Sequence, residues 1–263
     1  MWLMEQFDEL VRVMARLRAP GGCPWDREQT HHTLRPYLLE ESYEALEAID
    51  QQDWDRLRDE LGDVLLQVVF HARLASERGD FDIADVCEGI VAKMRRRHPH
   101  VFGEAQVSGS DEVLDRWEQI KRGEDGYQDR ASALDGIPAN LPALQRAAKM
   151  QRRAAKTGFD WPDISGPRAK VDEELGELDC AERHELEHEL GDLLFALVNL
   201  ARFLDVEPES ALRTATARFE GRFRHIEQAA GGSEGLGQLT LPEMDVLWEQ
   251  AKTDERESNG KQQ

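Results

Sequence analysis

Several common protein types are excluded by what this chain lacks. Its three cysteines, Cys23, Cys87 and Cys180, are odd in number and far apart, and no CxxC pair is present. A disulfide framework or a thiolate metal site is therefore not expected, and a reducing cytoplasm is the expected location. No run approaches the roughly 18 consecutive apolar residues of a membrane helix. The opening stretch MWLMEQFDEL carries Glu5, Asp8 and Glu9 where a signal peptide would be basic and then apolar, so a soluble protein is expected. Strand-like alternation is missing, and aromatic residues make up only 7% of the chain. Positive charge is scarce as well: 33 Lys and Arg stand against 53 Asp and Glu, a net charge of −20. A surface of that sign repels polyanions, which argues against nucleic acid and anionic membranes as partners. A small anion such as a nucleotide can bind only where metal cations and a few placed Lys or Arg reverse the sign locally.

What is present is helix-forming and duplicated. With 40% hydrophobic and 33% charged residues, the 263-residue chain can bury real cores, and its length suits two domains of ordinary size. Phe7, Leu10, Val11, Met14 and Leu17 recur at helical spacing, and VLLQVVFHARLA and LLFALVNLARFL are apolar on most faces, as central bundle helices are. Asp53 and Pro208 read as helix starts, by capping and by a proline preset for the first turn. EESYE at Glu40 returns 133 residues later as EELGE, ELGDVLLQVVFHARL at Glu60 returns after 129 as ELGDLLFALVNLARF, and WEQIK at Trp117 returns after 131 as WEQAK. Three ordered matches at nearly one offset mark a tandem repeat. Between the copies, residues 123–138 are polar and turn-rich and read as a linker. Each half is expected to hold four or five helices. Gly62 and Gly191, inside helices at a cost of about 1 kcal/mol each relative to Ala, are expected to allow close helix packing.

The most unusual segment is EELGELDCAERHELEHELGD, residues 173–192, which places nine carboxylates and one arginine in twenty positions. Glu174 with Glu177, and Glu189 with Asp192, share helix faces, and Glu173 can reach the same region. The eleven residues between the pairs suffice for a turn between antiparallel helices that would bring all four acids together. The first half repeats the arrangement with Glu41, Glu44, Glu60 and Asp63. Acids on helices are usually a solvated face. Here like charges at helical spacing, costing roughly 0.2–0.5 kcal/mol per pair, directly precede the most apolar helices. That position calls for a compensating cation. Clustered carboxylates without Cys and without obligatory His suit Mg²⁺ or Mn²⁺, which also takes substrate phosphates as ligands.

EExxE followed by ExxD on the next helix resembles the signature of the MazG family of all-α nucleoside triphosphate pyrophosphohydrolases. The resemblance extends through GCPWDREQT, RRRHPHVFGE and KTGFDW and covers nearly the whole chain. It implies an all-α fold of two tandem domains, residues 1–122 and 139–256 with a polar tail 257–263, whose paired helices form four-helix-bundle sites in a homodimer. It implies Mg²⁺-dependent hydrolysis of a nucleoside triphosphate to the monophosphate and pyrophosphate, a house-cleaning or pool-control role. Carried over by residue, Glu174, Glu177, Glu189 and Asp192 would hold the metal and serve catalysis, with Glu41, Glu44, Glu60 and Asp63 as first-half equivalents. Lys170, Glu173, Arg218, Arg222, Trp248 and Lys252 are the nucleotide-binding candidates, against solvated surface for the basic residues and core packing for Trp248. The first half offers Lys93, Arg97, Trp117 and Lys121 at matching places, but Tyr37 replaces Lys170. The second half therefore ranks first as phosphate binder, and the first is either catalytic or mainly structural.

Two other readings compete. His184 to His188, HELEH, matches the HExxH of zinc proteases. Its first-half counterpart has no histidine and it falls at the expected helix-turn boundary, which weighs against it. Glu185 and His188 also form the ExxH of di-iron bundles, again without a first-half match. The alternative class is a helical scaffold or regulatory protein whose acids merely solubilise. Cys23 in GCPWD reads as part of a structural turn, since the second half has no cysteine there.

Overall fold

The computed structural model describes residues 2–260 except positions 106, 108, 110, 111, 114, 115, 118, 119, 121, 122 and 124–130. Among the described residues every regular element is an α-helix. The chain divides into two compact units, residues 1–129 and 130–263.

In the first unit, α1 (Trp2–Arg18) is followed by the turn helix α2 (Pro24–Glu28), then α3 (Arg35–Asp50), α4 (Trp54–Arg78), α5 (Ile83–Arg97) and the short α6 (Pro99–Phe102). α3 and α4 form the dominant antiparallel pair, and α1 lays its apolar face across α4. Met14 of α1 and Val69, Phe70 and Leu74 of α4 are buried together with Leu34, with Phe7, Leu10, Val11 and Leu17 packed around them. The expected start of α4 is present: the Asp53 side chain accepts the Arg56 backbone N–H at 3.0 Å. Gly79 ends α4 in the left-handed region at φ 77°, where its N–H reaches the carbonyls of Ala75 and Ser76. α5 opens on a full capping box between Asp82 and Asp85.

The second unit comprises α7 (Ala143–Ala155), α8 (Ser165–Cys180), α9 (Leu186–Phe203), α10 (Pro208–Ala229), the short α11 (Ser233–Leu236) and α12 (Leu241–Gly260). The pair α8 and α9 packs as α3 and α4 do, α7 covers α9, and α10 packs on α12. Pro208 opens α10 as expected, with the Glu207 carboxylate accepting the Ser210 N–H at 2.6 Å.

One expectation is corrected. A Cβ added at Gly62 or Gly191 would meet no atom within 4 Å, so these glycines do not mediate helix packing within the units. They point outward, as do Leu61, Leu65 and Val68 on α4 and their repeat counterparts Leu190, Leu194 and Leu197 on α9. Helices that are apolar on most faces thus keep one stripe open in each unit. No helix among the described residues is long and apolar enough to cross a membrane.

Candidate active site

The hairpin of α8 and α9 brings three of the expected acids together. Glu174 and Glu177 lie one turn apart on α8, and Glu189 faces them from the first turn of α9; one carboxylate oxygen from each lies within 4.8 Å of the others. Asp192, a turn further along α9, groups instead with Glu189 and His188, its carboxylate 3.1 Å from His188 Nδ1. Glu174 is buried, and its Oε2 has no hydrogen-bond partner. Its other oxygen meets the Lys170 ammonium at 2.5 Å, while Glu173 binds the same ammonium at 2.8 Å from an exposed position. The two carboxylates hold Lys170 firmly protonated. Loss of hydration, followed by the charge of Glu174, pushes the Glu177 carboxyl above the usual carboxylate range. This is a buried-edge acid cluster with a single ammonium to offset it, and an all-oxygen donor set of this kind fits a hard divalent cation.

The first unit builds a related but not identical cluster. Glu41, Glu60 and Asp63 converge within 4.8 Å, whereas Glu44 stays outside that trio and acts on it through its charge. Loss of hydration and the neighbouring Asp63 raise the Glu41 carboxyl. Here the offsetting cation is Arg56, which bonds Glu60 at 3.1 Å and Glu47 at 2.7 Å.

A cavity of about 430 Å³ opens beside the second cluster, with Lys170, Glu174 and Asp192 on its edge and Gln151, Phe195 and Asn199 in its wall. A metal-type carboxylate cluster set against a roomy cavity is the arrangement a phosphate-bearing organic substrate needs.

Sequence comparison agrees with this chemistry. Residues 29–102, which include Glu41, Glu44, Glu60 and Asp63, match the model of the MazG nucleotide pyrophosphohydrolase domain. A nucleoside triphosphate pyrophosphohydrolase of Escherichia coli K12 is 50% identical over 96% of this chain and 99% of its own length. The chain belongs to the MazG family. A Thermotoga maritima MazG, named a nucleoside triphosphate pyrophosphohydrolase/pyrophosphatase, is 49% identical over 94% of this chain and 95% of its own. A Mycolicibacterium smegmatis relative is 34% identical over 92% of this chain and 65% of its own.

Within this MazG chain the other expected nucleotide-binding residues lie on α10 and α12. Arg222 of α10 pairs with Glu255 of α12 at 2.7 Å and lies over the Trp248 ring at 5.4 Å, and Trp248 also contacts Phe219. Lys252 bonds Glu249 at 2.8 Å, and Arg218 is exposed. None of the four lines the cavity. In the first unit Arg97 lies over Trp117 at 4.7 Å in the same way, so the arginine-on-tryptophan pair recurs in both units. Lys121 lies outside the described residues, and Lys93 is exposed.

HELEH does not form a two-histidine site. His184 sits in the turn before α9 near Glu182, and His188 turns to Asp192; no metal-type cluster among the described residues holds both.

Sequence reasoning missed the wall of the cavity. Arg202 forms a two-point ion pair with Asp160, its Nη1 at 2.9 Å, and its Nε donates to Asn199 Oδ1 at 2.9 Å. The guanidinium holds the Asp160 carboxyl below the usual carboxylate range. Gln151 Nε2 donates to the Phe195 carbonyl at 2.8 Å. The only sequence signal was KTGFDW, whose Phe159 and Trp161 join the cavity.

Proposed function

We propose that this MazG protein hydrolyses nucleoside triphosphates, cleaving between the α and β phosphates to give the monophosphate and pyrophosphate. The supporting observation is the convergence of Glu174, Glu177 and Glu189 around the unpartnered, buried Oε2 of Glu174. Four carboxylates, Asp192 among them, would hold Mg²⁺ or Mn²⁺ there. When bound, such an ion polarises a phosphoryl group and lowers the pKa of water. The chain's own part is to orient the phosphates beside the cavity and, through one carboxylate of the cluster, to take the proton of the attacking water. Lys170, now shared by Glu173 and Glu174, is the cation nearest to both acids and cavity and is placed to turn to the phosphates. The second unit is the principal site, because it combines a lysine, a buried orphan oxygen and a cavity.

The two compact units correspond in this reading to tandem MazG domains, 1–122 and 139–256. Leu61, Leu65 and Val68, and equally Leu190, Leu194 and Leu197, spaced to share one helix face, form stripes that a second copy would cover to complete four-helix bundles. Three free cysteines without disulfides fit a cytoplasmic enzyme.

The test is incubation of the folded protein with a mixture of nucleoside triphosphates and Mg²⁺, measuring pyrophosphate. Release of pyrophosphate is expected. No release from folded protein would leave a helical scaffold as the reading, and Zn²⁺-dependent peptide cleavage would restore the HELEH protease.

A further inference from the structure

The carboxylate hairpin of the second unit carries a donor that its counterpart lacks. ELGD recurs at an offset of 129 residues, so α4 and α9 can be compared position by position: Glu60 corresponds to Glu189, Asp63 to Asp192, Asp59 to His188 and Arg56 to Glu185. In the first unit Arg56 donates to Glu60 at 3.1 Å, and the Arg58 guanidinium binds Asp59 at 2.9 Å. In the second unit the place of that first arginine is taken by a further acid, Glu185, whose carboxylate accepts the Glu182 N–H at 3.0 Å. Among the described residues Glu189 and Asp192 form no ion pair with any Lys or Arg. The side-chain nitrogen they share is His188 Nδ1, 3.6 Å from Glu189 and 3.1 Å from Asp192.

These three residues are arranged as ligands of one ion would be. The His188 ring nitrogen and one carboxylate oxygen each from Glu189 and Asp192 all lie within 4.8 Å of one another. Residues 188, 189 and 192 span little more than one turn of α9, so a single helix fixes all three. Glu189 belongs at the same time to the trio with Glu174 and Glu177, where Glu174 is 4% exposed and its Oε2 has no partner. An orphaned, buried oxygen thus stands on one side of Glu189 and an imidazole on the other. A lone pair of His188 with Asp192 on the helix surface would explain one of these contacts. It would leave Glu189 without a cation and Glu174 Oε2 without a partner, whereas a divalent ion in the hairpin answers both.

The type of donor then bears on the type of ion. Carboxylates alone suit Mg²⁺ and Mn²⁺, while an imidazole adds affinity for later first-row ions such as Co²⁺ and does little for Mg²⁺. To ligate through Nδ1 a neutral ring carries its hydrogen on Nε2. The His188 side chain is 76% exposed, so that hydrogen can be given to water.

We infer that His188 supplies a nitrogen ligand, beside Glu189 and Asp192, to the divalent ion of this hairpin, and that this imidazole shifts the second unit's preference from Mg²⁺ towards Co²⁺. The inference rests on the metal-dependent hydrolase reading above and adds to it a ligand outside the four carboxylates. The first unit, with Asp59 held by Arg58, offers its ion oxygen donors only.

The experiment uses the full-length protein without nucleotide, with the first-unit cluster silenced throughout by Glu41→Gln. One equivalent of Mn²⁺ is added, and electron spin echo envelope modulation reads the nitrogen of a directly bound imidazole; equilibrium dialysis gives Kd for Mg²⁺ and for Co²⁺. The imidazole modulation is expected in the protein with His188, lost in His188→Ala and kept in His184→Ala. His188→Ala should weaken Co²⁺ binding by about tenfold or more and Mg²⁺ binding by less than about threefold, with helicity unchanged in circular dichroism. Modulation that is absent with His188 in place, or that survives His188→Ala, would overturn the assignment and leave the carboxylates as the metal site. Equal losses for Mg²⁺ and Co²⁺ would overturn the role of His188 in metal choice. A protein that binds none of the three ions would remove the metal site on which the hydrolase reading itself rests.

Discussion

Glu174 carries the strongest physical constraint in the cluster, since one of its oxygens is buried without a partner while the other is tied to Lys170. Glu174→Gln is expected to lower kcat/KM for nucleoside triphosphates by more than the ~10–100-fold typical of losing an outer-shell partner, while circular dichroism stays helical. Unfolding of that variant would instead assign the residue a structural role. Asp160 gives a pH signature. Arg202 depresses its carboxyl pKa in the folded state, so the pair stabilises the protein above the unfolded value of 3.8 and the contribution is lost as pH falls through the lower folded value. Asp160→Asn should therefore be less stable than wild type in urea at neutral pH, with the gap closing in acid below that range. At this scale the sequence was partly legible. The carboxylates could be found because the repeat preserved them at helical spacing while the histidines of HELEH varied. Gln151, Asn199, Asp160 and Arg202 could not, because their partners lie 42 or 44 residues away, except for the local Asn199–Arg202 bond, and no spacing rule reaches that far.

Helix boundaries were readable where local chemistry sets them. The Asp53 carboxylate caps α4, so Asp53→Ala should cost about 1 kcal/mol of first-unit stability, seen as a shift of its urea midpoint. Side-chain density along α4 and α9 announced buried helices, and the structure shows each with one face still open. If a second copy covers those faces, Leu194→Glu should shift the protein towards monomer in light scattering without loss of helicity, since a buried carboxylate would have to be desolvated at the interface. An unchanged mass would show that these faces do not join copies. The in-helix glycines were misread for a related reason. Sequence gives their cost in the helix, but only the fold shows that the space beside Gly62 and Gly191 is empty. The Arg222 and Trp248 pair was similarly open to two readings, and it recurs as Arg97 on Trp117.

Across the whole molecule, duplication is followed by divergence. Both units keep a carboxylate hairpin, but the second adds Lys170 and a cavity to it, whereas the first is offset by Arg56. Glu60→Gln should therefore leave turnover within about threefold of wild type, while Glu189→Gln abolishes it, as steady-state pyrophosphate release would report. Comparable losses from both would make the two sites equal partners. The net charge of −20 further predicts no shift of duplex DNA in a mobility assay at moderate salt. The amino-acid sequence by itself determined the helical class, the repeat, the acid pairs and the family, because these depend on residue type and on spacings of three, four and about 130 positions. Only the tertiary structure decided which three acids converge in each unit, that Arg222 pairs with Glu255 over the Trp248 ring, and that Asn199 lines a cavity while its counterpart Phe70 packs in a core. Those outcomes depend on how helices distant in sequence are set against one another, and side-chain volume matters there only once its neighbours are known.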